Sequence, residues 1–244
     1  MTLLDHVLEA HGGREAWEAA TRVKARARSG GLLLRTRVPG TRFADYDLAV
    51  DLGERRTVFD PFPEPGIRGV FDRGEPRLER ADGHVIASRS EPRPAFFGRA
   101  GLRRNLRWDA LDATYFAGYA MWNYLSFPLL LTREDVEVRE LAPWRSNGDE
   151  LRRLEATFPD GLDTHSPQQT FYVDAGGLLV RHDYVADVVS RWARAAHMCA
   201  DHVEAGGLVF PTRRWVRPIG PRNRPLPFPT MVWIQLTDLE VELG

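Results

Sequence analysis

The stretch RAAHMCADHVEAGGLVFPTRR, residues 194–214, sets His197, Cys199, Asp201 and His202 within six positions and closes on Arg213 and Arg214. Three chemistries fit these residue types. A buried polar network would fix strand register. A general acid or base, His182 or His197 oriented by Asp201 beside Tyr184, would move protons in an apolar surrounding. Two imidazoles and one carboxylate, His182, His197 and Asp201, would suit a metal. Their spacing matches no metal signature, so no metal and no cofactor is assigned. Cys199 lies between Met198 and Ala200 and reads as an inert buried thiol.

Strand pleat decides which of these residues can meet, because side chains two apart share a face. In 178–188 the even positions, including His182 and Tyr184, form the more apolar set, and in 208–216 the even positions Phe210, Thr212 and Arg214 do so. Two-residue turns would set even positions of one strand opposite odd positions of the next. One inner wall is then expected to carry His182, Tyr184, His197, Asp201, Thr212 and Arg214. An ionised Asp201 in that wall needs Arg214 or a histidine beside it, because an unpaired buried charge is costly.

The elements that would position these residues follow from periodicity. Residues 3–20 have helical spacing, interrupted at Gly12-Gly13. Short period-two segments follow at 22–29, 32–38, 42–52, 55–60, 67–72, 76–80 and 84–90, separated by turn residues such as Gly30-Gly31, Pro39-Gly40 and Asp82-Gly83. A helical insert spans 95–127; its main part has Asp109 as N-cap and stops at Pro128. Strands return at 134–142, 151–158, 168–174, 178–189, 194–204, 208–217 and 230–243. Strand blocks on either side of a helical insert predict an α+β fold in one domain over 1–244: a large antiparallel sheet with helices on one face.

The chain has 244 residues, 43% hydrophobic and 27% charged, with a formal net charge of -1. That composition suits a globular domain with one substantial core, and it gives no global pull toward nucleic acid. Lys24 is the only lysine, and Cys199 the only cysteine, so no intramolecular disulfide forms. The N-terminus MTLLDH lacks the basic and apolar regions of a secretory signal, and residence in the cytoplasm is the expectation. Residues 113–132 carry no charge, but Gly118, Asn123, Ser126 and Pro128 argue for a core helix rather than a transmembrane span. Nucleophile-elbow, phosphate-loop, HExxH and CxxC motifs are absent.

The stretches YFAGYAMWNYLSFPLLL (115–131), TFYVDAGGLLVRHDYVADVV (170–189) and AAHMCADHVEAGGLVFPTRR (195–214), with HGGREAW (11–17), resemble a broad family of bacterial proteins of LolA/LolB-like, lipoprotein-carrier fold. The resemblance implies a curved antiparallel half-barrel wrapped around a helical plug, enclosing an apolar cavity. Such a fold hosts more than one activity.

Two functions are therefore expected. One is a binding protein for a hydrophobic small molecule or lipid-like ligand, with Tyr115, Tyr119, Trp122, Asn123, Phe210 and Thr212 touching the guest. The other is a cofactor-free tailoring enzyme (cyclase, isomerase, dehydratase or hydrolase), using His182, Tyr184, His197, Asp201 and Arg214. Arginines 93, 99, 103, 104 and 107 form a basic stretch, either a solvated face or a contact for an anionic head group. The proline-rich loop 218–229 either covers the cavity mouth as a lid or simply stiffens a long connection.

Overall fold

The computed structural model describes residues 1–38, 40, 43–98, 101, 103, 104, 106–145 and 150–244, with the backbone alone of 99, 100, 102, 146 and 149. Pro39 and the side chain of Arg99 lie outside the described residues. The N-terminal helical stretch is two helices, α1 (Leu3–Ala10) and α2 (Arg14–Ala19), broken where the two glycines predict. A capping box between Thr2 and Asp5 starts α1. Gly12, at φ 115°, lies so close to Gly207 that a Cβ would fall 2.2 Å from its carbonyl oxygen. That contact ties α1 to the tip of a distant hairpin.

The first strands are β1 (Ala20–Gly30), β2 (Tyr46–Asp51), β3 (Arg56–Asp60), β4 (Ile67–Asp72), β5 (Glu75–Arg80) and β6 (Val85–Ser88). Between β1 and β2 the chain forms a helix, α3 (Leu32–Arg37), where period-two reading expects a strand. Gly31 at φ 116° turns the chain against Met231, and the adjacent Leu33 and Leu34 are both buried. Adjacent buried leucines suit a helix resting on a surface and not a pleat with one wet face.

After β6 the chain passes through α4 (Gly98–Arg104) and α5 (Ala110–Leu125). Asp109 caps α5 and forms a capping box with Asp112, whose buried carboxylate is held by Arg89 and by Arg104 Nε at 2.8 Å. Gly118 lets α5 rest directly on the sheet, since a Cβ there would lie 2.1 Å from Phe71 Cβ. No helix among the described residues is long and apolar enough to cross a membrane.

The second block is β7 (Glu137–Ser146), β8 (Asp149–Thr157), β9 (Gln168–Val173), β10 (Leu179–Val185), β11 (Arg194–Ala205), β12 (Leu208–Pro218) and β13 (Val232–Leu243). All thirteen strands form one antiparallel sheet in the order β6-β5-β4-β3-β2-β1-β13-β12-β11-β10-β9-β8-β7. The chain meanders out from β1 to one edge, crosses by its helices to the other edge, and meanders back until β13 pairs with β1. β6 and β7 do not pair, so the curved sheet stays unclosed around α5. This is the half-barrel with a helical plug that the sequence predicts.

Three arginines of the basic stretch are paired with carboxylates. Arg93 makes a bidentate pair with Asp187 at 2.8 and 2.9 Å, Arg104 meets Asp112, and Arg103 reaches Asp109 at 3.4 Å.

Candidate ligand-binding site

His182 and His197 are direct cross-strand partners, as are Cys199 and Arg214. His182, Tyr184, His197, Thr212 and Arg214 are all buried, and the first three cluster within ring-contact distance. Asp201 does not join them. Its φ is 55°, which interrupts the alternation of an extended strand, and its carboxylate turns outward to Arg213 at 2.6 Å. Both side chains of that pair are more than half exposed. The expected pairing of Asp201 with Arg214 or a histidine is therefore corrected: no carboxylate enters this part of the inner wall. Asp201 cannot orient either imidazole, and the His182, His197, Asp201 metal arrangement is not assembled. Among the described residues no group of three or more potential ligands converges.

The buried polar groups are linked through residues on α5 and a loop. The Tyr184 and Tyr124 hydroxyls hydrogen-bond to each other at 3.1 Å, and the Tyr124 hydroxyl hydrogen-bonds His165 Nε2 at 2.6 Å. The other ring nitrogen, Nδ1, hydrogen-bonds the Tyr119 hydroxyl at 3.2 Å. The His165 ring stacks on Tyr184 with centroids 3.9 Å apart. His182 donates from Nε2 to Gln169 Oε1 at 2.6 Å while its ring stacks on Phe171. His197 is fully buried against the Tyr124 ring, and neither ring nitrogen has a protein partner.

Burial keeps these imidazoles neutral. Desolvation lowers His165 to about 3, and lowers His182 and His197 well below the ordinary histidine value, with Arg214 adding to the effect at both. Arg214 itself has no carboxylate partner among the described residues. It donates to Cys199 Sγ at 3.4 Å and to the Tyr124 carbonyl at 3.3 Å, with its guanidinium 5.2 Å from the Tyr124 ring centroid. Burial raises the Cys199 pKa despite this cation.

Beside this network is an apolar cavity of about 200 Å³, open on one side. The helix α5 lines it with Phe116, Ala117, Ala120, Met121 and Tyr124. Leu33 and Leu34 of α3, Val216 of β12 and Ile234 of β13 form further wall, and Tyr184 joins Tyr124 as the link to the polar network. Trp192, Arg194 and Arg217 stand among the remaining lining residues.

None of the six residues expected to touch a guest lines this cavity. Tyr115 donates to Asp163 at 2.6 Å, and Trp122 donates to the carbonyls of Asp51 and Leu52. Asn123 donates to the carbonyls of Tyr119 and Asp163, Phe210 packs on Trp17, and Thr212 donates to the Asp201 carbonyl. Tyr119 belongs to the polar network behind the cavity. Because α5 is buried on nearly every side, periodicity gives no means of choosing the face that meets the cavity.

Residue selection from sequence also passed over His165 and Gln169. His165 lies in the loop between β8 and β9, where no period reveals burial. The proline-rich loop begins at the cavity, with Pro218 and Ile219, but is anchored on the other face of the sheet. There Asn223 accepts from Arg181 at 2.9 Å and donates to the Tyr172 hydroxyl at 2.7 Å.

This architecture is shared with solved structures. A DUF1329 family protein from Desulfovibrio piger superimposes with a TM-score of 0.54 at 14% identity, covering 99% of this chain and 92% of that one. A LolA superfamily protein from Nitrosomonas europaea superimposes with a TM-score of 0.51 at 12% identity, covering 99% and 94%. These likenesses show the fold, a LolA-like half-barrel. No protein-family model and no curated protein matches the sequence.

Proposed function

We propose that the protein binds a hydrophobic small molecule or one chain of a lipid-like ligand in the cavity beside α5. The observation that carries this reading is the cavity itself: an opening into the half-barrel, walled by aliphatic and aromatic side chains from α3, α5, β12 and β13. Such a wall gains by taking apolar surface out of water. The volume of about 200 Å³ exceeds the roughly 150 Å³ of an apolar cavity that takes up benzene, and falls short of the roughly 300–1,000 Å³ typical of drug-sized ligands. A single short chain or one ring fits that space. The LolA-like fold supports the same reading, as one in which a curved sheet and its helices leave a hollow between them.

The test is displacement of a neutral fluorescent dye, Nile red, by decanol, in the wild type and in Ala117→Phe and Ala120→Phe, which fill the cavity from two positions on α5. The wild type is expected to enhance dye fluorescence and release the dye to decanol. Both variants should lose this while keeping the wild-type circular dichroism spectrum. A wild type that binds neither compound, or folded variants that bind both as before, would overturn the reading.

A further inference from the structure

Resting on that reading, we infer that the ligand is an amphiphile that enters head first, its carboxylate meeting Arg214 and His197 behind the Tyr124 ring while its chain fills the cavity. Both residues belong to the inner wall that the cavity exposes. His197 is two positions beyond the lining residue Ala195 on the same face of β11 and opposite Val216, which also lines the cavity. Arg214 is two positions before Val216 on β12 and opposite the lining residue Ile234. Tyr124 is the partition between these two residues and the cavity. It lines the cavity, its ring centroid is 4.5 Å from that of His197, and the Arg214 guanidinium is 5.2 Å from it. Turning that one side chain aside joins the two spaces.

The polar atoms behind the partition lack partners. Arg214 is 1% exposed and His197 0%, and neither the two ring nitrogens of His197 nor Arg214 Nε is hydrogen-bonded. The guanidinium has several N–H donors and cannot shed its proton, yet its partners are only the Cys199 sulfur at 3.4 Å and the Tyr124 carbonyl at 3.3 Å. Neither carries a full negative charge. Burial raises the thiol's pKa, and the carbonyl offers no more than the partial charge at the C-terminal end of α5. Arg181, just as buried, shows the usual arrangement, with one Asp183 oxygen at 2.6 Å and the other at 2.7 Å. An unpaired buried cation is costly, so the interior holds a place for an anion that no side chain among the described residues supplies. A planar carboxylate suits it, accepting two parallel N–H bonds from the guanidinium and one from the neutral imidazole. A phosphate monoester would bring close to a second negative charge with no second cation to meet it.

The experiment compares decanol, decanoate and decyl phosphate as competitors for Nile red on the full chain at pH 8. Wild type should bind decanoate about tenfold more tightly than the other two. Added salt should leave that gap nearly intact, because a buried charge pair is screened little. Arg214→Gln should lose the preference. Since Arg214 also holds the end of α5, orientation is read separately in the wild type by nuclear Overhauser contacts. The His197 ring protons should contact the decanoate methylene next to the carboxylate and not the terminal methyl. Equal binding of decanol and decanoate, tighter binding of decyl phosphate, a preference that survives in folded Arg214→Gln, or contact of His197 with the terminal methyl would overturn the head-group assignment alone. Failure of all three to bind would overturn the cavity reading and this inference with it.

Discussion

The two faces of β10, β11 and β12 use the same residue types in opposite ways. On the outer face Arg181 is paired with Asp183 at 2.6 and 2.7 Å and Arg213 with Asp201, while Arg217 reaches the Leu226 carbonyl. On the inner face Arg214 has a thiol, a carbonyl and a ring for company, while His182 and His197 are neutral. The outer face thus manages charge by neutralising it, and the inner face by excluding carboxylate side chains and discharging its bases. A neutral polar interior is compatible with an apolar cavity next to it.

The largest way to break this contrast is acid. Burial, the largest cause, lowers His11 to about 4 and His165 to about 3, and lowers His182 and His197 well below the ordinary histidine value. The unfolded chain takes up these protons below about pH 6.5, whereas the folded chain does not, so the unfolded state binds more protons and stability falls with pH. The penalty is absent above 6.5 and grows as pH falls toward 4 and 3. Each imidazole costs about 1.4 kcal/mol per pH unit in that window. Four of them reach a typical total stability of about 5–15 kcal/mol within one to three units. Thermal melts from pH 8 to 4 should show loss of the fold near pH 5, and His197→Leu should flatten the slope. A melting temperature that holds steady down to pH 4.5 would mean that these imidazoles are not buried in neutral form.

A smaller effect tests the outer face. Asp183 is buried, which raises its pKa although Arg181, Tyr172 and Asn223 all donate to it. The ion pair is covered because Trp144 and the loop around Asn223 lie over it, with Arg181 5.0 Å from the Trp144 ring centroid. Asp183→Ala leaves a buried guanidinium unpaired and should cost about 3–5 kcal/mol, measured by urea unfolding at pH 7.5. The same change should release the proline-rich loop, seen as faster amide hydrogen exchange around residue 223. A cost below 1 kcal/mol would place the pair in water instead.

How far the sequence foretold these arrangements depends on whether the chain keeps its period. His182, Tyr184, His197, Thr212 and Arg214 share the interior because the connections 186–193 and 206–207 both contain an even number of residues, which preserves the even-to-odd pairing. The antiparallel sheet with helices on one face was legible for the same reason, since most strands alternate cleanly, and its curvature into a half-barrel came from the resemblance. Alternation says nothing about loops, so His165 was missed. It also says nothing about α5, where burial on almost all sides hides the cavity-lining set of Phe116, Ala117, Ala120, Met121 and Tyr124. The helix α3 was misread because a run of three leucines serves either structure until its glycine is seen turning the chain.

The smallest expected effect is at Asp201, where parity failed. No register shift separates Ala200, opposite Arg213, from His202, opposite Pro211, so the reversal is made by one residue's backbone and not by an inserted one. A left-handed φ suits Asp or Asn better than most residues, because a short polar side chain offsets the strain. The Arg213 hydrogen bond holds the Asp201 carboxylate below its ordinary pKa, but both groups are exposed and the pair is screened. Asp201→Asn keeps the side-chain shape and the backbone preference while removing the charge. It should leave both the melting temperature at pH 7.5 and Nile red displacement unchanged within error. Arg214→Gln, one strand over and facing inward, should alter the acid slope by removing a cation that depresses His182 and His197. If Asp201→Asn instead reproduced the Arg214→Gln phenotype, the carboxylate would belong to the inner network after all, and the division of charge between the two faces would fail at the position that defines it.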